Sequence, residues 1–142
     1  MYKIGYTTGV FDLFHLGHLN ILKNAKCQCE KLIVGVSSDE LVMRYKNRTP
    51  MVSLEERVAI VEAIIFVDQV VVQEDMNKLS AWERYQFDVH FHGDDWKGSE
   101  MYSNLTAEFE ARGVTSVYFP YTPGTSTTAL KQKIYRLMSQ EN

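Results

Sequence analysis

The chain is short of several things, and each shortage closes a class of function. It has two cysteines in 142 residues, Cys27 and Cys29. That is too few for a disulfide scaffold, and their spacing on a segment read as helix does not suit a bridge. They read as two reduced thiols, one packed and one near the surface, without metal-ligating neighbours in sequence. Eight glycines and three prolines leave no linker, internal repeat or low-complexity tract. No apolar run approaches membrane-spanning length, and the opening Met-Tyr-Lys-Ile-Gly-Tyr-Thr-Thr lacks the layout of a secretory leader. A cytoplasmic protein without a membrane partner is therefore expected. A net charge of −3 gives no general pull toward nucleic acid, so any basic patch must be local.

What is present is a core. With 45% apolar and 12% aromatic residues, the chain suits a single domain over residues 1–142. Strand and helix patterns alternate from end to end. Tyr2–Val10 reads as a buried strand, Leu19–Lys31 as a helix and Leu32–Val36 as an apolar strand covered on both faces. Ser37-Ser38-Asp39-Glu40 begins a helix, and Pro50 discourages helix at Thr49. Ser53-Leu54-Glu55-Glu56 has the capping-box pattern and opens a helix over Leu54–Ile65. Val67–Val72 is a third strand, Lys78–Gln86 a helix, Val89–His92 a fourth strand, Thr106–Arg112 a helix closed by Gly113, and Val114–Phe119 a fifth strand. A last helix runs near Thr128–Met138. Alternation of this kind predicts an α/β, Rossmann-like, parallel five-stranded sheet with right-handed crossovers and helices on both faces.

Ligands of such sheets sit at the carboxyl ends of the strands, and three polar clusters fall there. After the first strand comes Gly9-Val10-Phe11-Asp12, then His15-Leu16-Gly17-His18. Two histidines three apart share a helix face, and imidazoles and N–H groups at a helix start suit phosphate oxygens. The same pair also reads simply as a helix cap. Gly17 removes a side chain where backbone or ligand must approach. After the fifth strand, Gly124-Thr125-Ser126-Thr127-Thr128 puts hydroxyls before a helix, more than one cap requires. After the fourth, Gly93-Asp94-Asp95-Trp96 offers carboxylates for ribose hydroxyls, a base amino group or Mg²⁺, with an acidic turn as the plain alternative. Among Arg44, Lys46, Arg48, Arg57 and Lys78, Lys46 and Arg57 rank first as partners for phosphates. His90 and His92, alternating along a strand, are expected to face opposite sides of the sheet, one of them buried. No Ser/His/Asp or Cys/His arrangement stands out. The chemistry suggested is direct in-line transfer: a substrate phosphate oxygen attacks the α-phosphorus of a nucleotide and pyrophosphate leaves, with positioning and charge stabilisation supplied by the protein.

These motifs, in this order, resemble the HxGH nucleotidyltransferases. The likeness lies in their cytidylyltransferase branch, nearest the bacterial glycerol-3-phosphate cytidylyltransferases. His15-Leu16-Gly17-His18 stands at HxGH, Gly93-Asp94-Asp95-Trp96 at GDDW, and Thr122–Thr128 at the family's RTxGISTT, covering about residues 3 to 135. The resemblance implies that His15 and His18 contact CTP phosphates and stabilise the transition state, with Lys46 as a phosphate-binding lysine. It implies a nucleotide site at Gly9, Val10, Phe11, Gly17, Asp94, Asp95, Trp96, Thr122, Gly124, Ser126 and Thr127. It places Asp12, Arg57 and Lys78 at the acceptor, Mg²⁺ with the CTP, no metal held by protein side chains, and a homodimer. Tyr121 and Ile65 stand where the family carries arginines, and the lysine loop is a residue longer. Both arginine losses remove positive charge from the phosphate region. The acceptor is therefore open between a polyol phosphate, an amino-alcohol phosphate and a phosphonate. An ATP-dependent adenylyltransferase and a nucleotide-sensing scaffold are the alternatives.

Overall fold

The structure, a computed structural model, describes residues 1–93 and 99–141. Asp94, Asp95 and Trp96 lie outside the described residues. Five strands alternate with helices: β1 (Tyr2–Gly9), α1 (Leu16–Lys26), β2 (Cys29–Ser37), α2 (Asp39–Lys46), α3 (Leu54–Glu62), β3 (Gln69–Gln73), α4 (Lys78–Tyr85), β4 (Val89–Gly93), α5 (Glu100–Ala111), β5 (Thr115–Phe119) and α6 (Thr127–Glu141). The strands form one parallel sheet in the order β3-β2-β1-β4-β5. The chain winds outward from β1 to β3, then crosses back to β4 and β5. The order reverses beside β1, which is where ligands of open parallel sheets bind.

Side-chain alternation divides the core into two layers. Leu32, Val34 and Val36 of β2, with Val89 and Phe91 of β4, meet Leu22 and Ala25 of α1 and Val61 of α3 on one face. Tyr6 and Ile33 meet Ala81 of α4 and Phe109 of α5 on the other. Helices thus cover both faces.

Four sequence expectations shift. The first helix ends at Lys26, and Cys29–Lys31 belong to β2. Cys29 is accordingly buried in a strand, while Cys27 is exposed just after α1. The helix opened by Ser53 stops at Glu62, and β3 begins at Gln69 rather than Val67. The helix before β5 starts at Glu100, capped by Ser99, six residues ahead of Thr106. His90 and His92 face the same side of the sheet, with ring centroids 4.8 Å apart, because positions two apart on a strand point the same way. Among the described residues no helix is long and apolar enough to cross a membrane.

Candidate active site

The exit of β1 is backbone-strained and crowded. Phe11 and Leu13 adopt positive φ, 56° and 49°, a region costly for bulky side chains and found mostly where function fixes the backbone. Phe11 is 5% exposed, and Gly9 makes room for it: a Cβ there would lie 3.0 Å from the Phe11 ring. His15 then caps α1. Its Nδ1 accepts the Gly17 N–H at 3.0 Å, and His18 Nδ1 accepts the His15 N–H at 3.2 Å. The two imidazoles stack with centroids 3.9 Å apart. A Cβ on Gly17 would stand 2.8 Å from His15 Cε1, so glycine is what lets the imidazole fold over the helix start.

The capping bonds also set the tautomers of the two rings. An Nδ1 that accepts a backbone N–H leaves the proton of a neutral imidazole on Nε2. Both rings therefore carry a free Nε2–H donor. Burial first, and the neighbouring His15 second, lower the His18 pKa to about 4 against a weaker opposing effect of Asp12. Burial also lowers His15. Both histidines are thus neutral at pH 7 before any anion arrives.

A cleft of about 170 Å³ opens beside His18. Val10, Phe11 and Asp12 from the β1 exit form one wall. Lys46, Arg48, Thr49 and Pro50 from the end of α2 and its following loop form a second, and Thr127, Thr128 and Lys131 of α6 the third. Segments distant in sequence are stitched together here. The Thr127 hydroxyl donates to the Asp12 carbonyl at 2.9 Å, and Asn20 of α1 donates to the Thr122 hydroxyl at 3.0 Å. Ser126 caps α6, its hydroxyl oxygen accepting the Ala129 N–H at 3.0 Å. Gly124 takes φ 81° in the turn that leads there.

Two residues expected on the substrate hold the frame instead. Asp12 lines the cleft, yet its carboxylate accepts the N–H groups of Met51 and Val52 at 2.8 and 2.9 Å and faces Lys131 Nζ at 3.6 Å. An anion so placed repels phosphate while holding the α2–α3 loop and one cation in position. Arg57 is 1% exposed. Its guanidinium donates to the carbonyls of Val52, Val10 and Ser37 and pairs with Asp39 at 2.5 Å. It is a buried clamp across the ends of β1 and β2 and does not line the cleft. Lys78, the third expected acceptor residue, lines a separate cleft with Thr8, Ser37, Gln73 and Tyr102.

Lys131 and Arg48 are the cations that sequence reading ranked too low or passed over. Lys131 lies four residues after Thr127, hence on the same helix face. That spacing was its available signal. Ile65 and Tyr121, which the resemblance sets at arginine positions, are 88% and 61% exposed.

Comparison with known proteins identifies the family. The profile of the cytidylyltransferase-like family matches residues 6–133. A glycerol-3-phosphate cytidylyltransferase of Bacillus spizizenii is 36% identical over 92% of this chain and 96% of its own length. An ethanolamine-phosphate cytidylyltransferase of Arabidopsis thaliana is 38% identical over 63% of this chain and 22% of its own. Among solved structures, a lipopolysaccharide core biosynthesis protein from Thermoplasma volcanium superposes with a TM-score of 0.70 at 24% identity, covering 86% of this chain and 98% of that one; it shares the fold. With nearly the whole chain matched, the protein belongs to the cytidylyltransferase-like family of nucleotidyltransferases.

Proposed function

We propose that the protein transfers CMP from CTP to a small phosphorylated alcohol or polyol. A phosphate oxygen of the acceptor bonds to the α-phosphorus, the bond to the β-phosphate oxygen breaks, and pyrophosphate leaves. The observation that carries this reading is the convergence on one cleft of the His18 imidazole, the first turn of α6 and three cations, Lys46, Arg48 and Lys131. A helix N-terminus and fixed N–H donors are what a triphosphate needs, and neutral Nε2–H donors stabilise charge that develops on its oxygens without a proton changing hands. The whole-length likeness to a glycerol-3-phosphate cytidylyltransferase supports the nucleotide and the acceptor class.

Mg²⁺ is expected with the CTP. Among the described residues no group of three His, Cys, Asp or Glu side chains could hold a metal ion, and the acidic residue of the cleft, Asp12, is committed to two N–H groups and Lys131. In this proposal the ion arrives on the nucleotide's own phosphates. A homodimer, implied by the resemblance, is also part of the proposal; light scattering that finds a monomer at all concentrations removes it.

The test is pyrophosphate release from CTP or ATP against glycerol 3-phosphate, other polyol phosphates, ethanolamine phosphate and a phosphonate. CTP-dependent release with a phosphorylated alcohol is expected. Preference for ATP replaces the nucleotide assignment, and no release with any pair leaves a nucleotide-binding scaffold.

A further inference from the structure

Among the described residues that line the cleft, Asp12 alone is acidic, and it is 4% exposed. A carboxylate is a poor neighbour for a triphosphate, since like charges repel most where water is excluded. What it holds explains its position. On one side its oxygens accept the Met51 and Val52 N–H groups, which fixes the loop that carries Arg48, Thr49 and Pro50. On the other side α6 docks on it twice. The Thr127 hydroxyl donates to the Asp12 carbonyl at 2.9 Å, and one turn further on Lys131 Nζ faces the carboxylate at 3.6 Å. Helix positions four apart share a face, so both contacts come from one side of α6. Asp12 is therefore the joint at which the three walls of the cleft meet.

Two backbone N–H groups satisfy the carboxylate's oxygens but leave its negative charge in place. Lys131 supplies the matching positive charge. The side chains of Lys131 and Asp12 are 19% and 5% exposed, so solvent screens this pair less than a surface one. Their separation of 3.6 Å exceeds the roughly 2.7–2.9 Å of a charge-assisted hydrogen bond. The ammonium is thus held by charge, and its N–H donors are not spent on the carboxylate. It lines the cleft together with His18, Lys46 and Arg48. A tethered cation that keeps its donors is suited to an arriving phosphate.

We propose that Lys131 binds the phosphates of the nucleotide, a role that no motif of the sequence marks, and that Asp12 is the residue that positions it. Asp12 touches no substrate. It aims Lys131 and the α2–α3 loop at one point, and Lys131 screens the phosphates from the carboxylate behind it. This rests on the nucleotide assignment made above.

Binding and turnover read the two roles separately. Lys131→Met should weaken CTP binding about tenfold or more, the loss of one charge-assisted contact. Inorganic tripolyphosphate should weaken by the same factor, because the lost contact is to phosphate. Adding Asp12→Asn to Lys131→Met should return about threefold of the CTP affinity, since the unscreened carboxylate is gone. Asp12→Asn alone should lower kcat about tenfold or more without raising the KM for CTP, because repulsion is removed as aim is lost. A folded Lys131→Met that binds CTP as tightly as the unaltered protein overturns the inference and leaves the nucleotide assignment standing, whether or not the Asp12 variants fold. Weakened CTP with unweakened tripolyphosphate overturns it too. A double variant no tighter than Lys131→Met, or an Asp12→Asn that raises the KM for CTP at constant kcat, reduces Asp12 to a loop anchor and overturns its positioning role. Unaltered protein that binds neither CTP nor tripolyphosphate overturns both the inference and the nucleotide assignment beneath it.

Discussion

Arg57 and the histidines show how burial changes what a residue type means. Arg57→Ala would strip three backbone carbonyls and the Asp39 carboxylate of their donor. Loss of a buried, multiply bonded charge of this kind costs about 3–5 kcal/mol. We expect a lowered urea midpoint with an unchanged m-value, and a cost under 1 kcal/mol would show that the clamp is dispensable. The histidines give the protein an acid limit. Native His18 and His92 titrate near 4, below the 6.5 of an unfolded chain. As pH falls below 6.5 the unfolded state takes up protons that the native state refuses, so stability present at pH 7 drains away until about pH 4. For buried His92 the loss reaches up to about 2 kcal/mol at pH 5. Urea midpoints at pH 7.5 and 5 measure this, and His92→Phe should flatten the difference. Because kcat/KM reports the free enzyme, its acid limb should fall below pH 6 and not at 6.5.

At the scale of elements, the start of α1 joins two duties that mutation can separate. His15 accepts an N–H of the first turn and stacks on His18, which lines the cleft, with its Nε2–H as the donor proposed for catalysis. His15→Ala should cost about 1 kcal/mol through the lost cap, or a few degrees in melting temperature. His15→Asn supplies another capping acceptor and should recover most of that stability. Turnover should be low in both, since neither side chain restores the imidazole. Full turnover in His15→Asn would make the residue a cap and nothing more. The positive φ angles of Phe11 and Leu13 belong to the same element boundary. They bend the chain so that Val10 and Asp12 can meet Arg57 and Thr127. Periodicity exposed neither the bend nor the true ends of α1 and α3, because helix limits here are set by tertiary contacts such as the pairing of Tyr2 with Cys29.

Across the whole molecule, the sheet order brings the ends of β1 and β5 within reach of one triphosphate, bridged by the Thr127–Asp12 and Asn20–Thr122 hydrogen bonds. A ligand spanning three walls should stabilise all of them together: CTP at a hundredfold excess over its Kd adds about 2.7 kcal/mol. The sequence by itself determined the alternation of strands and helices, hence the parallel sheet, and the polar clusters at strand ends, because backbone periodicity and turn chemistry are local. The nearness of His18, Lys46 and Thr127 to one cleft was legible for that reason. It could not tell a cation that faces a ligand from one that ties the chain to itself. Arg57, Lys131 and Lys78 carry the same sign of charge, yet one became a buried clamp, one a cleft wall and one the floor of a second cleft. Only the tertiary structure decided among them, since a buried charge takes its role from the carbonyls, hydroxyls and carboxylates that packing sets around it.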